Sequence, residues 1–188
     1  GRYNLHARYL SDRWTALGVD EIALRLGKHN PDVYAYRFDW DEQPSYPTAD
    51  FKEFFGAGHA MELPFLFNDF AGMAVFALHF TEQNRPGREQ LAAAIGEYGG
   101  QFAWTGEPGQ GRSGALAPWP RWGQGNKLIL DTAPDGGSRL KGVLTMKALH
   151  QRFAEDDSFE SPQEKAGFGV ALFGGREAWD EYFTRQYE

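Results

Sequence analysis

The segment Val33-Tyr34-Ala35-Tyr36-Arg37-Phe38-Asp39-Trp40 constrains the fold more than any other part of this chain. It is rich in aromatic and β-branched residues and contains neither glycine nor proline, so the pattern predicts a strand. Apolar side chains fall on both of its faces, as in a central strand of a mostly parallel sheet covered by helices. Such a strand needs parallel neighbours, and the chain offers few. The second candidate, Lys127 to Asp131, is short, alternates in part and is bounded by turns, so it reads as an edge strand. An apolar strand short of partners implies that further strands are supplied from outside this sequence. The start of the chain agrees, because Tyr3, Leu5, Tyr9, Leu10 and Trp14 already form an apolar helical pattern with nothing before it.

Helices account for most of the rest. One is expected over Leu5 to Trp14. A second has Asp20 as its N-cap, Val19, Ile22, Ala23 and Leu26 on one face, Gly27 as its stop and Pro31 just beyond. Arg88 to Trp104 repeats Leu91, Ile95, Tyr98 and Phe102 at helical spacing, with a Gly99-Gly100 pair that allows close packing or a kink. Val143 to Phe153 and Arg176 to Gln186 complete the set, the latter with Trp179, Tyr182 and Phe183 on one side. Phe67 to Phe80, including Met73, fits either a helix or a buried irregular stretch. Asp41 to Ala49 and Thr105 to Ala117 read as loops, and Ala154 to Pro162 as an acidic, exposed connection. In the first loop, Asp39, Asp41 and Glu42 suit a solvated mouth better than a general-acid pair.

Composition excludes several classes of function. A net charge of -7 would repel a nucleic acid, whose partners neutralise phosphates. No apolar run approaches the roughly 20 residues that span a bilayer, and no charged-then-apolar leader opens the chain; a cytoplasmic location is the expectation, with which the lack of cysteine is compatible, and a secretion signal, if any, would lie upstream. There is no cysteine, hence no disulfide framework and no thiolate chemistry. His6, His29, His79 and His150 are scattered without ligand spacing, so no metal site is expected.

The chemistry-bearing stretch is Gly56-Ala57-Gly58-His59-Ala60-Met61-Glu62-Leu63-Pro64-Phe65-Leu66-Phe67. Glycines permit a sharp turn and a close approach of other groups, and the apolar run behind them anchors the segment in a core. Two readings of His59 follow from the residues: an imidazole presented at a cleft, or a loop histidine without chemistry. Glu62 falls on the same side as His59 if a helix begins there. Phe54, Phe55 and Phe65 flank His59 closely enough that one could line an acyl or alcohol pocket, although core packing is the favoured reading.

In order, Val33 to Trp40, Gly58 to Phe67, Phe102-Ala103-Trp104-Thr105-Gly106-Glu107-Pro108, Trp119-Pro120 and Lys127-Leu128-Ile129-Leu130 resemble the C-terminal third of the type-B carboxylesterases. That family includes cholinesterases and bacterial para-nitrobenzyl esterases, and the likeness runs from about Tyr34 to about Phe153. The resemblance implies an α/β fold in which residues 1–188 form the C-terminal portion of one α/β-hydrolase domain, with the last strands of its sheet. It implies hydrolysis of a small carboxylic ester through an acyl-serine, with His59 as general base and no cofactor. The lack of cysteine contrasts with the disulfide-bonded vertebrate cholinesterases and suggests a bacterial relative. The family carries a glutamate at the Glu62 position, close to the catalytic centre, where it either orients loops and buried water or caps backbone amides.

In this fold the serine and the acid precede the histidine, so both would lie upstream, and the chain alone would be inactive. No Gly-x-Ser-x-Gly occurs. Gly111-Arg112-Ser113-Gly114-Ala115 lacks the second glycine in register and follows no strand. A different class stays open, because the same family holds members that lost the triad and serve as binding or adhesion modules.

Overall fold

The computed structural model describes residues 2–72 and 74–174, in two compact units: residues 23–142, and residues 2–22 together with 143–174. The expected helix Arg176 to Gln186, with Trp179, Tyr182 and Phe183, and the residue Met73 lie outside the described residues.

In the larger unit a three-stranded sheet has β1 (Tyr36–Phe38) beside β4 (Asn126–Leu130), and β4 beside β5 (Arg139–Gly142). β1 and β4 run parallel, with Tyr36 opposite Leu128 and Phe38 opposite Leu130. Their ladder continues at both ends through Leu128 N–H to Ala35 O (3.0 Å) and Asp39 N–H to Leu130 O (2.9 Å). β4 and β5 run antiparallel, with Leu128 opposite Leu140. The hairpin β2 (Ser45–Tyr46) and β3 (Ala49–Asp50) leads into α3 (Phe51–Phe54), which Asp50 caps by accepting from Glu53 N–H. The short α4 (Leu63–Leu66) follows, then a 3₁₀ turn at Ala74–His79 and the long α5 (Arg85–Thr105).

Two expectations change here. Lys127 to Asp131 is the middle strand of the described sheet, paired on both sides, with Leu128, Ile129 and Leu130 all buried. Lys127 disguised it. Its ammonium reaches the Gly142 carbonyl (2.9 Å), so the stem stays within the sheet while the charge is hydrogen-bonded. β4 is therefore the parallel neighbour that the Val33 to Trp40 segment needs, and helical crossovers between the two strands make the connection possible.

α5 lays Leu91, Ala92, Ile95 and Tyr98 against Leu128 and Leu130 of β4, and Trp40, Met61 and Phe65 join the same core. The helix ends on Gly106 in the left-handed conformation (φ 79°), the usual stop for an α-helix.

In the smaller unit α1 (Arg2–Thr15), α6 (Met146–Glu155) and α7 (Pro162–Phe173) share a core of Tyr9, Leu149, Phe168 and Leu172. A π-helical turn at Ala16–Asp20 runs from α1 directly into α2 (Glu21–Leu26), so Asp20 is not an N-cap. The Glu21 amide is already bonded to Ala16 O. The Asp20 carboxylate is buried and accepts from Leu144 N–H (2.5 Å) instead.

The stretch expected to be acidic and exposed, Ala154 to Pro162, is largely exposed, and Asp156 is the exception that carries structure. Asp156 has only 9% of its side chain exposed. It accepts from Ser158 N–H (2.8 Å), Tyr9 Oη–H (2.6 Å) and Arg8 Nη2 (2.9 Å). Hydrogen bonds from Ser158 first, then from Tyr9, lower its pKa from 3.8 to about 2. The folded chain thus favours the ionised form. The stabilisation is complete above pH 3.8 and is lost as pH falls through about 2. In an acid titration followed by circular dichroism, Asp156→Asn is expected to lose ellipticity over that window less steeply than the parent chain. An acid limb of unchanged shape would remove Asp156 as a contributor.

Candidate active site

The carboxyl ends of parallel strands are where α/β sheets bind ligands. β1 ends at Phe38, and the segment leaving that edge is held on every side. Asp39 pairs with Arg37 through both carboxylate oxygens. Glu42 accepts from Trp40 Nε1 (3.3 Å) and from the Thr132 hydroxyl. Asp41 pairs with Lys52 (3.1 Å). Asp39, Asp41 and Glu42 are thus paired as well as partly exposed: Arg37 and Trp40 are local donors, while Lys52 of α3 and Thr132 beyond β4 are donors that the local sequence does not reveal. Nearby Asp131 is pushed up by burial, with Asp39 acting in the same sense, against the opposing Arg139 ion pair (3.1 Å) and the Thr132 amide.

His59 sits in the turn between α3 and α4, and its side chain is exposed. The turn is fixed at both ends. On one side, Gly56 adopts a left-handed φ of 46° and its carbonyl accepts from Gln43 Nε2 (2.6 Å). On the other, Met61 N–H donates to Gly58 O (3.1 Å), and the Met61 side chain is buried in the core. Gly58 is required by crowding, since a Cβ there would stand 2.9 Å from Phe55 O. Ala60 is left-handed too (φ 68°), a conformation that alanine rarely adopts and that costs about 1–3 kcal/mol.

That left-handed residue stops a helix from beginning near His59. α4 starts only at Leu63, so His59 and Glu62 are not related as neighbours on one helical face. Glu62 occupies the N-cap position of α4, but its side chain makes no capping hydrogen bond. It lines a cavity of about 150 Å³ with Tyr36, Phe38, Leu66, Tyr98 and Trp119 among its walls. Burial, and after it the Glu62 charge, raises the Tyr36 pKa. Burial also pushes Tyr98 up to about 12, so its hydroxyl remains a donor to Ala117 O (2.6 Å).

Of the three phenylalanines, Phe65 is 1% exposed and lies in the core, whereas Phe54 and Phe55 are 58% and 52% exposed. Phe55 packs edge-on to His79, a buried histidine whose pKa burial lowers. Ser113 lies in the loop after α5, its hydroxyl bonded to Glu97. Among the described residues, no three His, Cys, Asp or Glu side chains are grouped to hold a metal ion, and no helix is long and apolar enough to cross a membrane. Gln43 was missed by sequence reasoning. A glutamine in an acidic, proline-bearing loop carries no signal of a bond made to a residue thirteen positions on.

The sequence model of the Carboxylesterase family matches residues 2–148. The chain belongs to the carboxylesterase family. The sequence is 33% identical over 138 residues to the cocaine esterase of Homo sapiens, a match covering 71% of this chain and 22% of that protein. It is 28% identical over 122 residues to acetylcholinesterase 1 of Caenorhabditis elegans, covering 63% of this chain and 18% of the relative. It thus spans about a fifth of the length of either relative. The crystal structure of Aspergillus niger EstA superposes with a TM-score of 0.51 at 20% identity, covering 69% of this chain and 23% of that one. At that identity the likeness speaks for the fold, which is that of part of an α/β-hydrolase.

Proposed function

We propose that this carboxylesterase chain supplies the general-base histidine, His59, of a serine ester hydrolase of the type-B kind. The serine, its acid and the oxyanion hole would come from the remainder of a longer polypeptide or from a separate chain carrying it. The observation that carries the reading is an exposed imidazole on a turn that follows Gly56 and Gly58 and is tied to the loop leaving the carboxyl end of β1, in the parallel β1–β4 pair, in a chain of this family.

His59 would take the proton of the serine as the hydroxyl attacks the ester carbonyl, and return it to the departing alcohol. It would then take a proton from water to release the acid from the acyl-serine. Glu62 would act behind it, from the wall of the cavity, on the groups that orient the site.

The test is hydrolysis of a short-chain p-nitrophenyl ester by the complete polypeptide and by this chain alone, with fluorophosphonate labelling of each. The expected result is turnover and labelling of the complete polypeptide only, since one member of a triad retains little of its power. A complete polypeptide that neither turns over nor labels would leave a binding module of the same fold.

A further inference from the structure

We infer that Gln43 is the positioning residue for His59, holding the turn that presents the imidazole at the working geometry. The inference rests on the general-base reading of His59 and adds a residue to it.

Gln43 has the features of a strut. Its side chain is only 5% exposed, yet it lies in a loop rather than in a strand or helix. Its Nε2 donates to the Gly56 carbonyl at 2.6 Å, three residues before His59. The backbone on either side of Gln43 is itself fixed. Asn84 Nδ2 donates to the Glu42 carbonyl (2.9 Å), and Phe51 N–H donates to the Pro44 carbonyl (3.3 Å). Asn84 in turn stands at the start of α5, whose packing on the sheet forms the core of the unit. A rigid body is therefore linked through one amide to the flexible end of the His59 turn. The opposite end is already secured by buried Met61.

Phe55, just before that end, is held by its N–H to Phe51 O (2.9 Å) and by ring contacts with Phe51 and His79, and the Gln43 bond is the tie at the Gly56 carbonyl itself. Glycine at φ 46° has the widest freedom of any residue in the turn, and it brings no side chain of its own to pack. Without the Gln43 bond, residues 56–60 would pivot about Met61. A general base displaced by about 1 Å loses on the order of a hundred-fold in rate. The Gln43 Oε1 is buried without a hydrogen-bond partner among the described residues, a cost the side chain would avoid if it served packing alone.

The decisive variant is Gln43→Met in the complete polypeptide, which keeps the length of the side chain and removes the amide. Steady-state ester kinetics are measured beside hydrogen exchange, read by mass spectrometry over residues 56–60 and over α5. The expected result is kcat lower by about ten- to a hundred-fold with KM within about two-fold, and faster exchange over 56–60 with α5 unchanged. Gln43→Glu, which swaps the donor for an acceptor, is expected to behave the same way. Unchanged exchange over 56–60, or a rise in KM at constant kcat, would overturn the assignment. If the unsubstituted polypeptide hydrolyses no ester, the general-base reading fails, and the exchange comparison alone then decides whether Gln43 holds the turn.

Discussion

Replacing His59 by alanine in the complete polypeptide is expected to lower kcat for ester hydrolysis by about four to six orders of magnitude, with KM changed only a few-fold. The size follows from the number of proton transfers that pass through one ring. In the proposed role the imidazole would remove the proton from the attacking hydroxyl and deliver it to the leaving alcohol in acylation, then take a proton from water and return it to the serine oxygen in deacylation. Substrate binding draws on other groups, so KM should barely move. Stability should barely move either. The side chain is exposed, and substitutions at such positions fall within about 0.5 kcal/mol. Loss of turnover at an unchanged melting temperature would therefore report chemistry and not unfolding. A variant retaining a tenth or more of the activity would remove His59 from the reaction.

What the sequence revealed, and what it hid, depended on whether the signal was local. α5 was legible because Leu91, Ile95 and Tyr98 recur at the helical period and are all buried; only its start, at Arg85, was missed. β1 was legible from its composition, although paired strand covers only Tyr36–Phe38 of the segment. β5 was not, because all four of its residues are exposed and its place in the sheet comes from backbone pairing to β4. α7 was hidden by glycines that look costly in a helix. Gly169 is there for packing, since a Cβ would meet the Phe153 ring at 3.0 Å. Ser161 before Pro162, with Glu164 three positions on, was a local start signal that could have found it.

The candidate site divides along the same line. His59 and Glu62 were singled out by motif, but their relation in space hung on whether a helix begins at His59, and none does. That relation depends on the left-handed Ala60, which sequence periodicity does not anticipate. The Gln43 bond is a tertiary contact, and no window along the chain contains it.

Phe65→Ala is expected to destabilise the larger unit by about 3–5 kcal/mol, the usual cost of removing a buried phenylalanine ring. Phe65 is 1% exposed, and its ring meets those of Phe38, Trp40 and Phe70 at centroid distances of 5.0, 5.1 and 5.1 Å. Deleting it removes apolar area from the core and opens a void between α4 and the sheet, which rigid neighbours fill only in part. Native domains hold a margin of about 5–15 kcal/mol. The variant should therefore fold in water but unfold at a much lower urea midpoint, read by tryptophan fluorescence. Phe54→Ala, at a position 58% exposed, is the control and should change the unfolding free energy by about 0.5 kcal/mol or less. The pair separates the two roles that the sequence left open for Phe65. A ring that lines a substrate pocket would change KM and leave the midpoint near the parent value. A ring that holds the core would lower the midpoint and leave KM alone in the folded fraction. A loss of unfolding free energy below about 1 kcal/mol accompanied by a higher KM would return Phe65 to the pocket.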